Sequence, residues 1–149
     1  MTLQNLLAIQ RLQPHATDAV SVLKLLASAR RNLTDARVDA IGSDNRFDAA
    51  YKCIMQCAML GLWANGYRTA TSQPGHHQTA IHCLTLTMGV AKETVIVLDG
   101  LRKQRNVNDY LGDPITDAAL ASCIEEAAEL LAHTGDWLRK HHPGLLDET

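Results

Sequence analysis

The sequence predicts an all-α protein, an antiparallel bundle of about five helices, and three observations predict it. The 149 residues include 20 Ala and 21 Leu, both strong helix formers, while aromatic residues make up only 4%. Apolar residues recur at helical spacing through most of the chain. The nine glycines and four prolines are too few for a sandwich or barrel with a turn about every ten residues, which rules out an all-β fold. At roughly 100–200 residues per domain the chain forms one domain over 1–149, long enough to bury a core without a disulfide or a metal.

The elements follow in order. A short amphipathic helix over 3–12 stops before Pro14, and the bundle proper spans about 18–141. Its first helix, over 18–41, steps by four and three through Val22, Leu26, Ala29, Leu33, Ala36 and Ala40, one apolar seam on one face. Gly42 ends it, and Ser43-Asp44-Asn45 offers a capping oxygen for the next helix, over 46–65, with Gly66 at its end. There Phe47, Ala50, Ile54, Cys57 and Gly61 share a face of mostly small residues, which lets another helix approach closely. Ser72-Gln73-Pro74-Gly75 marks a loop. A shorter helix over 77–88 packs Ile81, Leu84 and Met88 and closes at Gly89.

The next helix, over 93–110, begins apolar at Val95-Ile96-Val97-Leu98 and ends polar before Gly112. Asp113-Pro114 suits a cap with proline at the first helical position. The last helix, over 116–141, carries Leu120, Ile124, Ala127, Leu131 and Leu138 inward. No sheet is expected.

Charge and composition exclude several functions. The formal charge of −2 lacks the overall basic footprint of a constitutive duplex-DNA binder, although a local basic patch is allowed. No apolar run reaches about 18 residues, so no membrane span is expected. Four cysteines, none in a CxxC pair, suit free thiols in a reducing cytoplasm, and Cys53, Cys57, Cys83 and Cys123 read as small buried apolar residues. Trp63 and Trp137 read as core or interface anchors. His76, His77 and His82 lack the i, i+4 pairing of a zinc helix and have no nearby carboxylate in the sequence, so no metal site is expected. There is no phosphate-cradling GxxxxGK loop and no nucleophile elbow, and no cofactor is implied.

Chemistry concentrates in Leu101-Arg102-Lys103-Gln104-Arg105-Asn106-Val107-Asn108-Asp109-Tyr110. On a helix Leu98, Leu101, Arg105 and Asn108 share one stripe, so Arg105 continues a face that begins as core. An inward Arg needs a partner or a polar cleft. Asp99, Arg102, Asn106 and Tyr110 form a polar stripe beside it. The plainer account is a solvated helix end in which Arg105 pairs with Asp109 one turn on.

Three segments taken together resemble the HEPN superfamily, small helical domains of prokaryotic toxin–antitoxin, defence and RNA-processing systems. Arg46-Phe47-Asp48-Ala49-Ala50-Tyr51-Lys52-Cys53-Ile54 is similar to the family's second helix, an aromatic within a small-residue run. Pro74-Gly75-His76-His77 resembles the step that opens its third helix, and Arg105-Asn106 resembles the Arg-polar pair of its RNA-cleaving motif. The resemblance implies a homodimer whose fourth helices form one cleft. Within that cleft Arg105, Asn106 and Tyr110 would take the catalytic positions, with Arg102, Asp109, His76 and His77 in binding roles.

The family's motif ends in a His, whereas this chain has Tyr110 five residues after Arg105 and no His within seven. Imidazole, with a pKa of about 6.5, exchanges a proton near neutral pH far better than a phenol near 10. Phosphate or RNA binding through the Arg105 guanidinium therefore survives the change better than cleavage does. The leading expectation is an RNA- or nucleotide-associated cytoplasmic protein with weakened catalysis. An active metal-independent ribonuclease and a non-catalytic dimer that binds a protein partner are the alternatives. His76 or His77 is a conceivable substitute for the missing His. The resemblance also implies a cognate antitoxin, or a nucleotidyltransferase partner that modifies Tyr110.

Overall fold

The structure, a computed structural model, describes residues 1–147. It is all-α apart from one small sheet. The order is α1 (Leu3–Ala8), β1 (Leu12–Pro14), α2 (Ala19–Ala36), α3 (Ser43–Ala64), β2 (Tyr67–Thr69), α4 (His76–His82), α5 (Leu84–Met88), α6 (Lys92–Leu111), α7 (Asp117–His141) and a closing 3₁₀ turn, Pro143–Leu146. No helix among the described residues is long and apolar enough to cross a membrane.

α3 is the axis of the bundle. Twelve of its 22 residues are buried, including the unbroken run Cys53–Ala58, so neighbours must cover it on every side. α2 and α7 cover most of it, and α4, α5 and α6 pack on the remainder. The expected seam of α2 is buried from Val22 to Ala36. Its one polar intrusion on α3, Gln56, is satisfied: Asn32 Nδ2 donates to Oε1 at 2.8 Å, and Nε2 donates to Ser28 Oγ at 2.9 Å.

Several expected boundaries are corrected. The expectation of no sheet fails, because β1 and β2 pair antiparallel with Leu12 opposite Thr69, Gln13 opposite Arg68 and Pro14 opposite Tyr67. α1 ends at Ala8 rather than 12, since Gln10 turns the chain at φ 62 and leads Leu12 into the core. Strands of three residues are too short to show an alternating pattern. α2 stops at Ala36 rather than 41, where Arg46 Nε donates to the Ala36 carbonyl at 2.8 Å and caps the helix from outside.

Gly42 consequently precedes α3 instead of closing α2, and it serves as N-cap with no side-chain bond. Of the expected capping residues, Asp44 does other work, accepting the Ile115 N–H at 2.8 Å to anchor the α6–α7 connection. The expected helix over 77–88 is broken at Cys83 into α4 and α5. Thr116, not Asp113-Pro114, caps α7, accepting the Ala119 N–H at 3.1 Å. Gly112 closes α6 at φ 71, a left-handed conformation that favours glycine.

Candidate functional site

The site forms where the polar half of α6 passes α3 and the first turn of α4. α3 contributes Asp48 and Tyr51, one turn apart on one face. α4 contributes His77, which Gly75, at φ 76, turns into the helix. α6 contributes Arg105, four residues beyond the buried Leu101 and half-buried as its stripe predicts.

The Arg105 guanidinium carbon lies 5.0 Å from the centroid of the Tyr51 ring, a cation–π stack. Tyr51 is 2% exposed, and its hydroxyl lies 3.2 Å from His77 Nδ1. His77 in turn meets His76 edge-on at 4.7 Å. Arg105, Tyr51 and His77 thus form a continuous chain across three helices.

Arg105 is held by attraction without a closed hydrogen-bond set. Its Nε is 3.5 Å from Asp48 Oδ1 and 3.9 Å from Asp109 Oδ2, yet this buried atom makes no hydrogen bond among the described residues. The i+4 pair with Asp109 expected from sequence therefore exists, but Asp48 on another helix is the nearer carboxylate. A small cavity of about 30 Å³ beside Arg105 is lined by Asp44, Asp48, Asn108 and Asp109 among others.

Burial shifts the titrating groups. It pushes the Tyr51 phenol up to about 12, against the pull of Arg105 and Arg102, so the hydroxyl stays protonated and can donate to His77. Burial also lowers the His77 pKa, and the charges of His76, Arg105 and Arg102 lower it further, so the neutral ring is favoured. Where the Tyr51 hydroxyl is the donor, Nδ1 accepts and the ring proton is on Nε2. Burial raises Asp48 against the pull of Arg105, and the neighbouring carboxylates Asp109 and Asp44 add to the rise.

The other expected site residues divide. Arg102 is engaged, its Nε donating to Asp99 Oδ1 at 2.8 Å. Burial opposes ionisation of Asp99, but the Arg102 hydrogen bond and charge, with His82 and Lys103, hold its carboxyl below the usual range. Asp99 thereby gathers Arg102, Lys103 and His82 into one cluster. Asn106 is exposed. Tyr110 is 91% exposed, and among the described residues the ring under the Arg105 guanidinium is that of Tyr51. Among the described residues no group of three His, Cys, Asp or Glu is placed to hold a metal.

Two residues of the site were missed as such by sequence reasoning. Tyr51 and Asp48 both lie in the segment that carried the resemblance, and their i, i+3 spacing on one helix was the available signal. Compared with known proteins, the chain matches no family model, no curated protein and no solved structure.

Proposed function

We propose that this protein is an RNA-associated helical protein of HEPN type, belonging to a toxin–antitoxin or defence system, in which Arg105 binds backbone phosphate at the cleft of a homodimer and catalysis is weakened or lost. The observation that carries this reading is the mounting of Arg105. Its guanidinium carbon lies 5.0 Å over the Tyr51 ring, it is paired only loosely with Asp48 and Asp109, and its buried Nε makes no hydrogen bond among the described residues. A phosphate that displaced Asp48 would gain a bidentate partner on a group already oriented by its stack.

The dimer rests on the outer face of α6. Val97, Gly100, Gln104, Val107 and Leu111 follow each other at alternating spacings of three and four, the seam of a paired helix. Val97, Val107 and Leu111 are exposed, and a Cβ at Gly100 would meet nothing within 4 Å. An isologous contact between two such faces is the commonest symmetric solution.

The test is binding of a short single-stranded RNA by fluorescence anisotropy across a salt series. Arg105→Ala should weaken binding and make the salt slope shallower by about one contact. Unchanged affinity and slope would remove Arg105 from the interface and leave the protein-partner reading. A second reading, an active metal-independent ribonuclease, is favoured by one observation: a neutral imidazole, His77, is coupled through Tyr51 to Arg105. Cleavage in the presence of a chelator that is lost in His77→Asn would decide for it.

A further inference from the structure

On the other side of α4, away from Arg105, an open cavity of about 770 Å³ lies between α1, the α4–α5 pair and the start of α6. Its volume falls in the range of roughly 300–1,000 Å³ common to small-molecule sites. Its apolar lining includes Leu6, Ile9, Leu86 and Ile96. Ile9, Leu86 and Ile96 are 53%, 43% and 72% exposed, large apolar side chains brought to one place from three separate segments.

The ionisable side chains that line the cavity are all of basic type: Arg11, Lys92 and His82. His82 Nε2 lies 3.6 Å from Asp99 Oδ1. Arg11 and Lys92 form no ion pair among the described residues. Arg11 spends one N–H on the Pro74 carbonyl at 3.2 Å, which holds its guanidinium at the rim and leaves other donors free. An apolar trough with two uncompensated cations at its edge is complementary to a molecule with an apolar chain and an anionic head. A purely apolar ligand would leave the cations unused, and a cationic one would be repelled.

We propose that this cavity binds a small single-chain carboxylate amphiphile, its hydrocarbon chain lying along Leu6, Leu86 and Ile96 and its carboxylate meeting Arg11 and Lys92. The site is separate from Arg105 and does not depend on the RNA reading.

The experiment titrates dodecanoate, below its micelle concentration, into the full chain by calorimetry, with dodecyltrimethylammonium as the same chain bearing the opposite head. Dodecanoate should bind saturably and about tenfold or more tightly than the cation. Lys92→Glu should weaken dodecanoate by about tenfold and strengthen the cation. Ile96→Glu should abolish binding of both while circular dichroism stays unchanged, since Ile96 is exposed. Absence of saturable binding, equal affinity for the two heads, or dodecanoate binding untouched by Ile96→Glu would each overturn the proposal. So would a change of oligomeric state in Ile96→Glu without dodecanoate binding to the wild type, since the trough would then be an interface with a second copy.

Discussion

Arg105 and Tyr51 stack across two helices, guanidinium to ring centroid 5.0 Å, and the same tyrosine reaches His77 on a third. One side chain therefore serves two neighbours through different parts of itself, the ring face for one and the hydroxyl for the other. The two roles separate by substitution. Tyr51→Phe keeps the ring under Arg105 and should cost about 0.5–1.5 kcal/mol, the worth of one partly buried hydrogen bond. Tyr51→Leu removes the stack as well, with loss of cation–π attraction of about 0.5–1 kcal/mol and imperfect packing added to that. Urea denaturation should rank wild type, Tyr51→Phe and Tyr51→Leu in that order, and RNA affinity should drop only in the last.

The histidine beside that tyrosine carries a pH dependence. His77 is held below its ordinary 6.5, first by burial and then by the positive groups around it. The folded protein thus prefers the neutral ring, whereas the unfolded chain takes up a proton once the pH falls below about 6.5. Stability from this group is complete above that pH and is lost progressively as the pH falls toward the folded value. His77→Asn should flatten this part of the profile. Urea midpoints at about pH 7.5 and about pH 5.5 measure it, and an equal acid loss in the variant would assign the effect to other groups.

Close packing of α3 against α5 depends on Gly61. A Cβ there would lie 2.8 Å from Thr87 Oγ1 and 3.1 Å from Met88 Cγ. Gly61→Ala should destabilise by about 1–3 kcal/mol despite alanine's better helix propensity. Thr87 Oγ1 is itself buried without a hydrogen bond among the described residues. Thr87→Val removes that orphan at nearly constant shape, so it should be neutral or stabilising by up to about 1 kcal/mol. Thermal melts of the two variants should move in opposite directions or, for Thr87→Val, not at all.

Much of this architecture was legible because helices announce themselves by period. The seam from Val22 to Ala36, the small face ending at Gly61 and the Leu98–Leu101–Arg105 stripe all fall where spacing puts them. What stayed hidden depends on partners distant in sequence. Arg46 terminates α2 by capping Ala36 from the following helix, and Asp44 holds the loop at Ile115, 71 residues away. The pairing of β1 with β2 is equally non-local, and each strand alone carries no signal. At the site, Arg105 was visible as an inward charge, but its stack on Tyr51 requires knowing which face of α3 lies opposite. His77 entered as a conceivable substitute with no position, and the fold now sets it one side chain from Arg105.

The proposed dimer has a direct test in the outer face of α6. Val107 is 50% exposed in the single chain, so Val107→Glu should leave the circular dichroism spectrum intact. In a symmetric seam it would place two carboxylates against an apolar face, a strongly unfavourable burial. Light scattering should show a dimer for wild type at micromolar concentration and a monomer for Val107→Glu. A wild-type monomer would end the composite-cleft reading.

Tyr110 brings these threads to one experiment. It is 91% exposed near the end of α6, while Arg105 lies over Tyr51, so the proposed dimer offers it a route to chemistry through the cleft of a second copy. Tyr110→His introduces a group that exchanges protons near neutral pH and, on the proposed reading, should create or raise RNA cleavage in the presence of a chelator. If the group acts across the dimer, the gain should vanish in the double variant Tyr110→His/Val107→Glu, whose fold is kept and whose pairing is broken. Cleavage that persists in the monomeric double variant would mean that the new imidazole works within one chain. No gain at all, with RNA binding intact, would deny position 110 a place in the chemistry. His77, already joined to Arg105 through Tyr51, would then be the group to pursue.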